Sequence, residues 1–539
     1  MLRWLAFQLY RGGVDSANHL DALFQAHRNG SDQPRTKELW SVVIKMLAEQ
    51  RKVYIVLDAL DESKTRDTVL EWIRDTVLRP ELVHVQLFLT GRPESAFLRD
   101  IPPLIGNQNI LGFDEEAVNC DIRSWVTAQI SRRRDFTEKL LSQNLLEEIQ
   151  KKVGDGANGI WAFCQLDSLA RCPHEEAMEE ALESLPRDLE KTYERMLESI
   201  PTKLKSDAIR LLQFLVHSKR PLSLAEVKEV IATKIENDSR GFYMKRRLFC
   251  ETDILAYCPS LVTVVPADVR ELHLAHFSVK EYLLQHHQFK TMASSISITR
   301  TCLTYLTDID DKESEMKQRF PMARYAAEMW TSYAVSTQAD EDIMRMTVKF
   351  LEKEATFQRW ARLYQADRSW DDSPGPPRGS KLYYACLSGL VAPARNLIDK
   401  GVDINAQGGT YGNALQAASW RGHQDIVSLL LDKGADVNAQ GGRYDSALYA
   451  ASWGGHQGIV NLLLEKGADV NAQGGECGNA LYTASQGGCQ DIVNLLLEKG
   501  ADVNVQGGRY GNPLQATSQR GHQDIVNFLQ RGDITSSSQ

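Results

Sequence analysis

The 539-residue chain contains no run of the roughly 18 consecutive apolar residues that a membrane-crossing helix needs. Positive charge is also short: 62 basic against 71 acidic side chains leave a net charge of -9. That gives no basic footprint for nucleic acid. The nine cysteines are odd in number and scattered. Neither Cys164/Cys172 nor Cys250/Cys258 has the two-residue spacing of structural zinc ligands, so buried thiols in a reducing compartment are expected and zinc is not. The apolar start Met1–Tyr10 is interrupted by Arg3 and Gln8, and no small-residue cleavage site follows. A signal peptide is thereby excluded, and the spacing suits an amphipathic helix. A cytoplasmic protein is expected. Also missing is Gly-x-x-x-x-Gly-Lys-Ser/Thr, the loop that cradles nucleotide phosphates. What remains is ordinary globular material, 43% hydrophobic and 25% charged, long enough for about three or four domains.

The most informative stretch is Val53-Tyr54-Ile55-Val56-Leu57-Asp58-Ala59-Leu60-Asp61-Glu62. Its apolar run does not alternate, which predicts a strand buried on both faces of a helix-covered parallel sheet. Ligands of such sheets sit beyond the strands' carboxyl ends, where Asp58, Asp61 and Glu62 fall. Asp58 there can hold Mg²⁺ through water, and a neighbouring acid can orient or deprotonate an attacking water. The alternative is that Asp58 merely ends a core strand and caps the next helix. A second run, Val85–Thr90, ends at Gly91-Arg92, and an arginine just past a parallel strand can reach the same crevice and a terminal phosphate.

Residues 1–50 read as two helices around a polar link near Asn29–Pro34, with Leu39, Val43, Ile44 and Leu47 on one face. From Phe113 to Pro186 the pattern is helical, with a turn at Gly154–Gly159 and Trp161 as a core aromatic. Pro186 suits the first turn of the next helix. Ser223 with Glu226 forms a capping box, and Leu261–Val265 and Glu271–Leu274 form two strands about a turn at 266–268. Helix, helix and hairpin suggest a winged helix. Residues 290–370 are a helical spacer, clearest at Met322–Trp330 and Met344–Trp360, and Asp371–Gly379 is a stiff polar linker and domain boundary.

Beyond the linker, Leu382, Leu415, Leu448, Leu481 and Leu514 recur every 33 residues, and Gly389, Gly422, Gly455, Gly488 and Gly521 keep the register. Two helices and a turn at this period are the ankyrin pattern, in which one unit cannot bury its apolar faces and stacking produces the core. The divergent first unit, Leu382–Ala406, reads as a cap, and the last dissolves into Ile534–Gln539. Asn413 and Ser446 stand where the pattern has threonine and can still cap their helices. The varying aromatics Tyr411, Trp420, Tyr444, Tyr449, Trp453, Tyr482 and Tyr510 are expected on one exposed face, as residue types enriched at binding hot spots. The alternative is that they stack on one another and stiffen the array. His423, His456 and His522, one per unit at the inter-helix turn, suit a backbone contact better than a metal.

The Asp58 run resembles a Walker B motif in its NACHT form, and Gly91–Glu94 resembles the sensor-arginine segment of NACHT and related signal-transduction NTPases. Leu185–Arg195 closely resembles the segment that follows the helical domain in fungal NACHT–ankyrin proteins, and Gly159–Ala162 resembles the Gly-x-x-Trp-Ala signature with one residue fewer. Nearly the whole chain resembles a fungal NACHT–ankyrin protein. The resemblance implies a partial α/β P-loop-type NACHT core at 1–112, a helical domain at 113–185, a winged-helix-like domain at 186–290, a spacer at 291–370, the linker 371–379, and ankyrin units at 380–409, 410–442, 443–475, 476–508 and 509–534. It places the absent phosphate loop upstream of Leu2–Tyr10, implying either an amino-terminally incomplete core or one that has lost the loop. It further implies a nucleotide switch with Mg²⁺ and ATP/ADP or GTP, in which Asp58 holds the metal, Asp61 and Glu62 act on water, Arg92 senses the terminal phosphate and His276 contacts the β-phosphate. The competing reading of His276 is a core or capping histidine beside Phe277. The array would bind a protein ligand, and the chain would oligomerise or co-assemble with related NACHT proteins. Three functions follow: an active ATP- or GTP-hydrolysing switch if the loop exists upstream, a scaffold with a vestigial core, or an inhibitory fragment. For the chain as it stands, the scaffold or partial switch ranks above hydrolysis.

Overall fold

The computed structural model describes residues 2–12, 14–27, 34, 36–58, 60, 65–91, 95–112, 115–139, 141–154, 159–186, 188–236, 239–258, 260–266, 269–309, 313–474, 478–507 and 511–536. It is mostly helical, with three small sheets. The chain divides into two compact units, Met1–Asp121 and Ile122–Gln539. That division falls inside the helix Glu115–Arg132 rather than at 112.

In the first unit, strands β1 (Val53–Leu57) and β2 (Val85–Leu89) pair in parallel, Val53 opposite Val85 and Leu57 opposite Leu89. Helices Leu2–Gly12, Thr36–Ala48 and Arg66–Leu78 bury Leu5, Leu9, Val43, Met46, Trp72 and Ile73 with Ile55 in one core. The predicted burial of β1 on both faces is therefore corrected: Tyr54 is 54% exposed, Val56 65% and Phe88 54%. Chemistry does not alternate along this strand but exposure does, because its helices all pack on the Ile55 side. The two helices expected before β1 are three, Leu2–Gly12, Val14–Ala26 and Thr36–Ala48. The first of them ends at Gly12, a residue type whose backbone freedom disfavours helix continuation.

In the second unit, helices Lys205–His217 and Leu224–Ala232 pack against a three-stranded antiparallel sheet made of β3 (Leu222–Ser223), β6 (Val262–Val265) and β7 (Glu271–Leu274) in the order β3-β7-β6. The short strands β4 (Thr233–Lys234) and β5 (Gly241–Phe242) pair separately. This is a winged-helix arrangement. Ser223 accepts from Glu226 N–H at 3.3 Å while Glu226 accepts from Ser223 N–H at 2.8 Å, so the capping box is formed. The helix expected to open at Pro186 begins at Leu189. Asp188 caps it by accepting from Lys191 N–H at 2.8 Å, whereas the Pro186 carbonyl accepts from the indole of buried Trp161.

The spacer segment expected as one helix over Met344–Trp360 is two, Glu341–Glu352 and Glu354–Leu363, separated by extended backbone at Lys353. Five helix pairs make the array, and Ser380, Asn413, Ser446, Asn479 and Asn512 each cap the first helix of a pair by accepting a backbone N–H three residues on. The last helix runs through Ile534 to Ser536 instead of dissolving there.

Two expectations about the array's start are also corrected. The first unit is no cap, since Leu382, Tyr383, Tyr384 and Cys386 are fully buried. Trp360 and Phe357 of the spacer lie against Tyr384, at 5.9 and 6.1 Å between ring centroids. The segment 371–379 is pinned rather than a free boundary: Gln365 Nε2 donates to the Gly375 and Pro376 carbonyls at 3.1 Å, and Arg368 donates to Pro374 at 3.0 Å. One buried cluster consequently runs from Cys164 and Tyr193 through the spacer to Leu529.

Candidate functional site

Asp58 follows β1 at the carboxyl end of the parallel pair, where its exposed carboxylate accepts from the Thr90 hydroxyl. Thr90 N–H donates to the Leu57 carbonyl at 3.0 Å, and Leu60 N–H donates to the Thr90 carbonyl at 2.9 Å. The two strand ends are thus laced together with the acid at their lip. Thr90 is a partner that the sequence offers only as a strand's last residue, because the contact depends on strand register. An exposed carboxylate with its second oxygen unengaged by this hydroxyl is the hard donor that Mg²⁺ takes through water. Asp61, Glu62 and Arg92, the other residues expected here, lie outside the described residues.

His276 sits at the amino end of helix Phe277–Gln285 and lines a cavity of about 270 Å³ in the winged-helix domain. The floor is apolar, with Leu215, Leu222, Leu272 and Phe277; Lys219, Arg220, His273 and Lys280 also line it. Ser278 N–H donates to His276 Nδ1 at 3.1 Å, which fixes the ring proton on Nε2. The Ser278 hydroxyl lies 2.8 Å from the same nitrogen and 2.7 Å from the Tyr193 hydroxyl. The arrangement that satisfies all three has Tyr193 donating to Ser278 and Ser278 to Nδ1. His276 is therefore a capping histidine that still presents an N–H donor. Arg220 makes a bidentate pair with buried Glu226 and lies 4.8 Å over the Tyr325 ring, so it is a fixed wall. His273 Nε2 is 2.9 Å from a Glu271 carboxylate oxygen. Tyr193, Ser278, Lys219 and Lys280 escape a linear reading, since Tyr193 and Ser278 stand 85 residues apart.

The expected exposed aromatic face of the array is corrected. Tyr411, Tyr444, Tyr449 and Tyr482 are buried and Trp420 and Trp453 half-buried; Tyr510 lies outside the described residues. Tyr411 and Tyr444 stack at 5.5 Å and 7° between planes, Trp420 lies 5.0 Å from Tyr444, and Tyr449 and Trp453 stack at 6.5 Å and 10°. Tyr411 and Tyr444 occupy identical positions in adjacent units, so there repetition turns one ring into the next one's partner. Among the described members of this set, Trp420 and Trp453 alone keep more than marginal exposure.

His423 and His456 lie near carbonyls of the preceding unit, with Nε2 3.3 Å from Leu387 O and 3.1 Å from Trp420 O. Each ring packs on a left-handed glycine, Gly389 or Gly422, where a Cβ would approach it within 2.9 or 2.5 Å. Burial, opposed by the Leu387 carbonyl, pulls His423 below its ordinary value of 6.5. The unfolded chain then binds the proton first, so stability is full above pH 6.5 and falls as the pH drops from there towards the folded value. Urea midpoints at pH 7.5 and 5.5 are expected to differ more for the wild type than for His423→Asn. Equal differences would show that His423 contributes nothing to acid sensitivity.

Three family models match parts of the chain: ankyrin repeats in three copies over 382–474 and 448–538, the Nephrocystin 3 N-terminal domain over 1–92, and the winged-helix domain of GPI inositol-deacylase over 178–299. The chain is also 35% identical over 284 residues to the azaphilone pigments biosynthesis cluster protein L of Monascus ruber, across 46% of this chain and 59% of that protein. It thus spans somewhat more than half the length of that relative. No helix among the described residues is long and apolar enough to cross a membrane. Ankyrin repeats are protein-recognition modules, and together these matches support a NACHT–ankyrin-like protein, with a NACHT-associated segment in front, a winged helix in the middle and an ankyrin array behind.

Proposed function

We propose that the chain is an NLR-like sensor whose ankyrin array grips a protein ligand and whose winged-helix cavity takes the phosphate groups of a nucleotide. The observation that carries this reading is His276, held by Ser278 so that an Nε2–H donor remains, on a cavity also lined by Lys219 and Lys280. A donor beside ammonium groups over an apolar floor suits an oxyanion attached to a larger body. In this reading Asp58 holds Mg²⁺ through water, Asp61 and Glu62 act on water, and Arg92 senses a terminal phosphate of ATP or GTP. Bound Mg²⁺ neutralises phosphate charge; the protein's share is to orient and desolvate. Oligomerisation or co-assembly with related chains is the expected output, and the setting is cytoplasmic. The phosphate-loop pattern is absent from this sequence, so we rank binding above hydrolysis.

Pyrophosphate titrated calorimetrically into the full chain tests the reading. His276→Asn keeps a good helix cap but loses the Nε2–H donor, and it is expected to weaken binding about tenfold, as for a hydrogen bond to a charged group. Unchanged affinity would remove His276 from the site. A plain protein-gripping scaffold, which the five-unit array favours, would bind its ligand with no effect of pyrophosphate.

A further inference from the structure

We infer that the spacer helix Ala323–Ser336 is a strut through which the ankyrin array sets the shape of the His276 cavity. The cavity itself is read as a phosphate site above, and the strut's consequence for ligand binding rests on that reading. The mechanical link does not.

Two phenols of this helix, Tyr325 in its first turn and Tyr333 in its last, hold the segment His217–Arg220 at the cavity wall. Tyr333 donates to the His217 carbonyl at 2.8 Å. The Ser218 hydroxyl donates to the Arg220 carbonyl at 2.6 Å, so Tyr325, 2.8 Å from that hydroxyl, donates to it. Ser218 and Arg220 both line the cavity, and Arg220 lies on the Tyr325 ring. Burial pushes Tyr333 up to about 12 and Tyr325 well above its ordinary value, which keeps both as donors.

Just past the last turn, Gln338 holds the first ankyrin unit. Its Nε2 donates to the Gly389 carbonyl at 3.2 Å, and its Oε1 accepts from Val391 N–H at 2.8 Å. One amide therefore closes both backbone groups of the turn between the unit's two helices. Thr337, fully buried, ties the intervening residue back to the Tyr333 carbonyl at 3.2 Å.

Between Tyr325 and Gln338 the helix has no source of bending. It contains neither glycine nor proline, the usual causes of kinks, and its 14 residues span about 21 Å. Ala323, Ala326, Ala327 and Ala334 are fully buried, and Trp330 packs edge-on against Phe350 and Trp360 at 5.4 and 5.2 Å. A stiff helix in a close-packed core moves as a unit, so a displacement at Gly389–Val391 is delivered to His217–Arg220.

Amide hydrogen exchange on the full chain, without ligand, tests this. Gln338→Ala is expected to speed exchange at Ser218 and Leu222 about threefold, although it lies far from them in sequence. Tyr325→Phe, which removes the bond to Ser218 directly, should do the same. Lys400→Ala, which breaks the array's ion pair with Glu352 of the neighbouring helix, should leave these amides unchanged. The strut is overturned if Gln338→Ala leaves the wall as it was while Tyr325→Phe loosens it. It is overturned equally if Lys400→Ala matches Gln338→Ala, which would mean general loosening of the junction. Pyrophosphate titration of the same proteins separates the two claims: a wild type that binds none removes the phosphate reading, and the exchange result still decides the strut.

Discussion

Trp360→Ala is expected to lower the stability of the second unit by about 3–5 kcal/mol, the range for removing a large aromatic from a packed core. The side chain is 1% exposed and meets three rings, Trp330 at 5.2 Å, Tyr384 at 5.9 Å and Phe357 at 6.3 Å. Its indole N–H also donates to the Ala327 carbonyl at 2.9 Å, so truncation opens a cavity and leaves a buried acceptor without its donor. Tyr384 belongs to the first ankyrin unit and Ala327 to the strut, so the loss should appear in both spacer and array. Denaturant midpoints from circular dichroism, read beside hydrogen exchange in the two regions, provide the measurement. A loss below about 1 kcal/mol, or one confined to the spacer, would show that the aromatic junction is not what joins them. Trp370→Ala is the contrast: at 71% exposed it should cost no more than about 0.5 kcal/mol.

The repeat array was the most legible part of the chain, because its 33-residue period follows directly from stacking. Leu415, Leu448 and Leu481 are buried where the register puts them, and Asn413 and Ser446 cap their helices. The Ser223–Glu226 box and strand Glu271–Leu274 were equally readable, since both are local patterns. Tyr411 and Tyr444 were not. In one unit taken alone each is an aromatic at a finger tip, and only the distance between units decides between exposure and stacking. The same limit applies to the first unit. Its divergence from the consensus suggests a free end, yet Phe357 and Trp360 cover Tyr384 there, and the buried Tyr383 hydroxyl donates to the Asp367 carboxylate at 2.9 Å.

β1 shows the converse failure. Val53–Leu57 is apolar at every position, as a two-sided strand should be, but hydrophobicity states what a residue would bury and not whether a second helix layer is present. Tyr54 and Phe88, 6.1 Å apart, share the uncovered face. For the candidate site, resemblance supplied His276 and local pattern supplied Asp58, whereas the groups that position them, Ser278 with Tyr193 and Thr90, are contacts of register and tertiary packing. Pairings of that range leave no trace in spacing.

Asp207→Ala is expected to cost about 3–5 kcal/mol by a different mechanism, the stranding of a buried charge. Asp207 is 4% exposed, in the first turn of helix Lys205–His217, and accepts from Arg210 at 2.5 Å and Arg246 at 2.6 Å. Arg246 is about a third exposed and can turn to water, but the Arg210 side chain is 2% exposed and would keep only Glu236 at 3.8 Å. Most of the penalty therefore comes from Arg210 rather than from the lost acid. The double variant Asp207→Ala with Arg210→Met removes both charges and keeps much of the volume. It should recover at least half of the loss, because an apolar replacement of a buried pair is often neutral. Urea midpoints of the two variants and the wild type decide it. A double variant no more stable than Asp207→Ala would mean that the acid's bond to Arg246, and not the stranded guanidinium, holds this corner of the winged helix together.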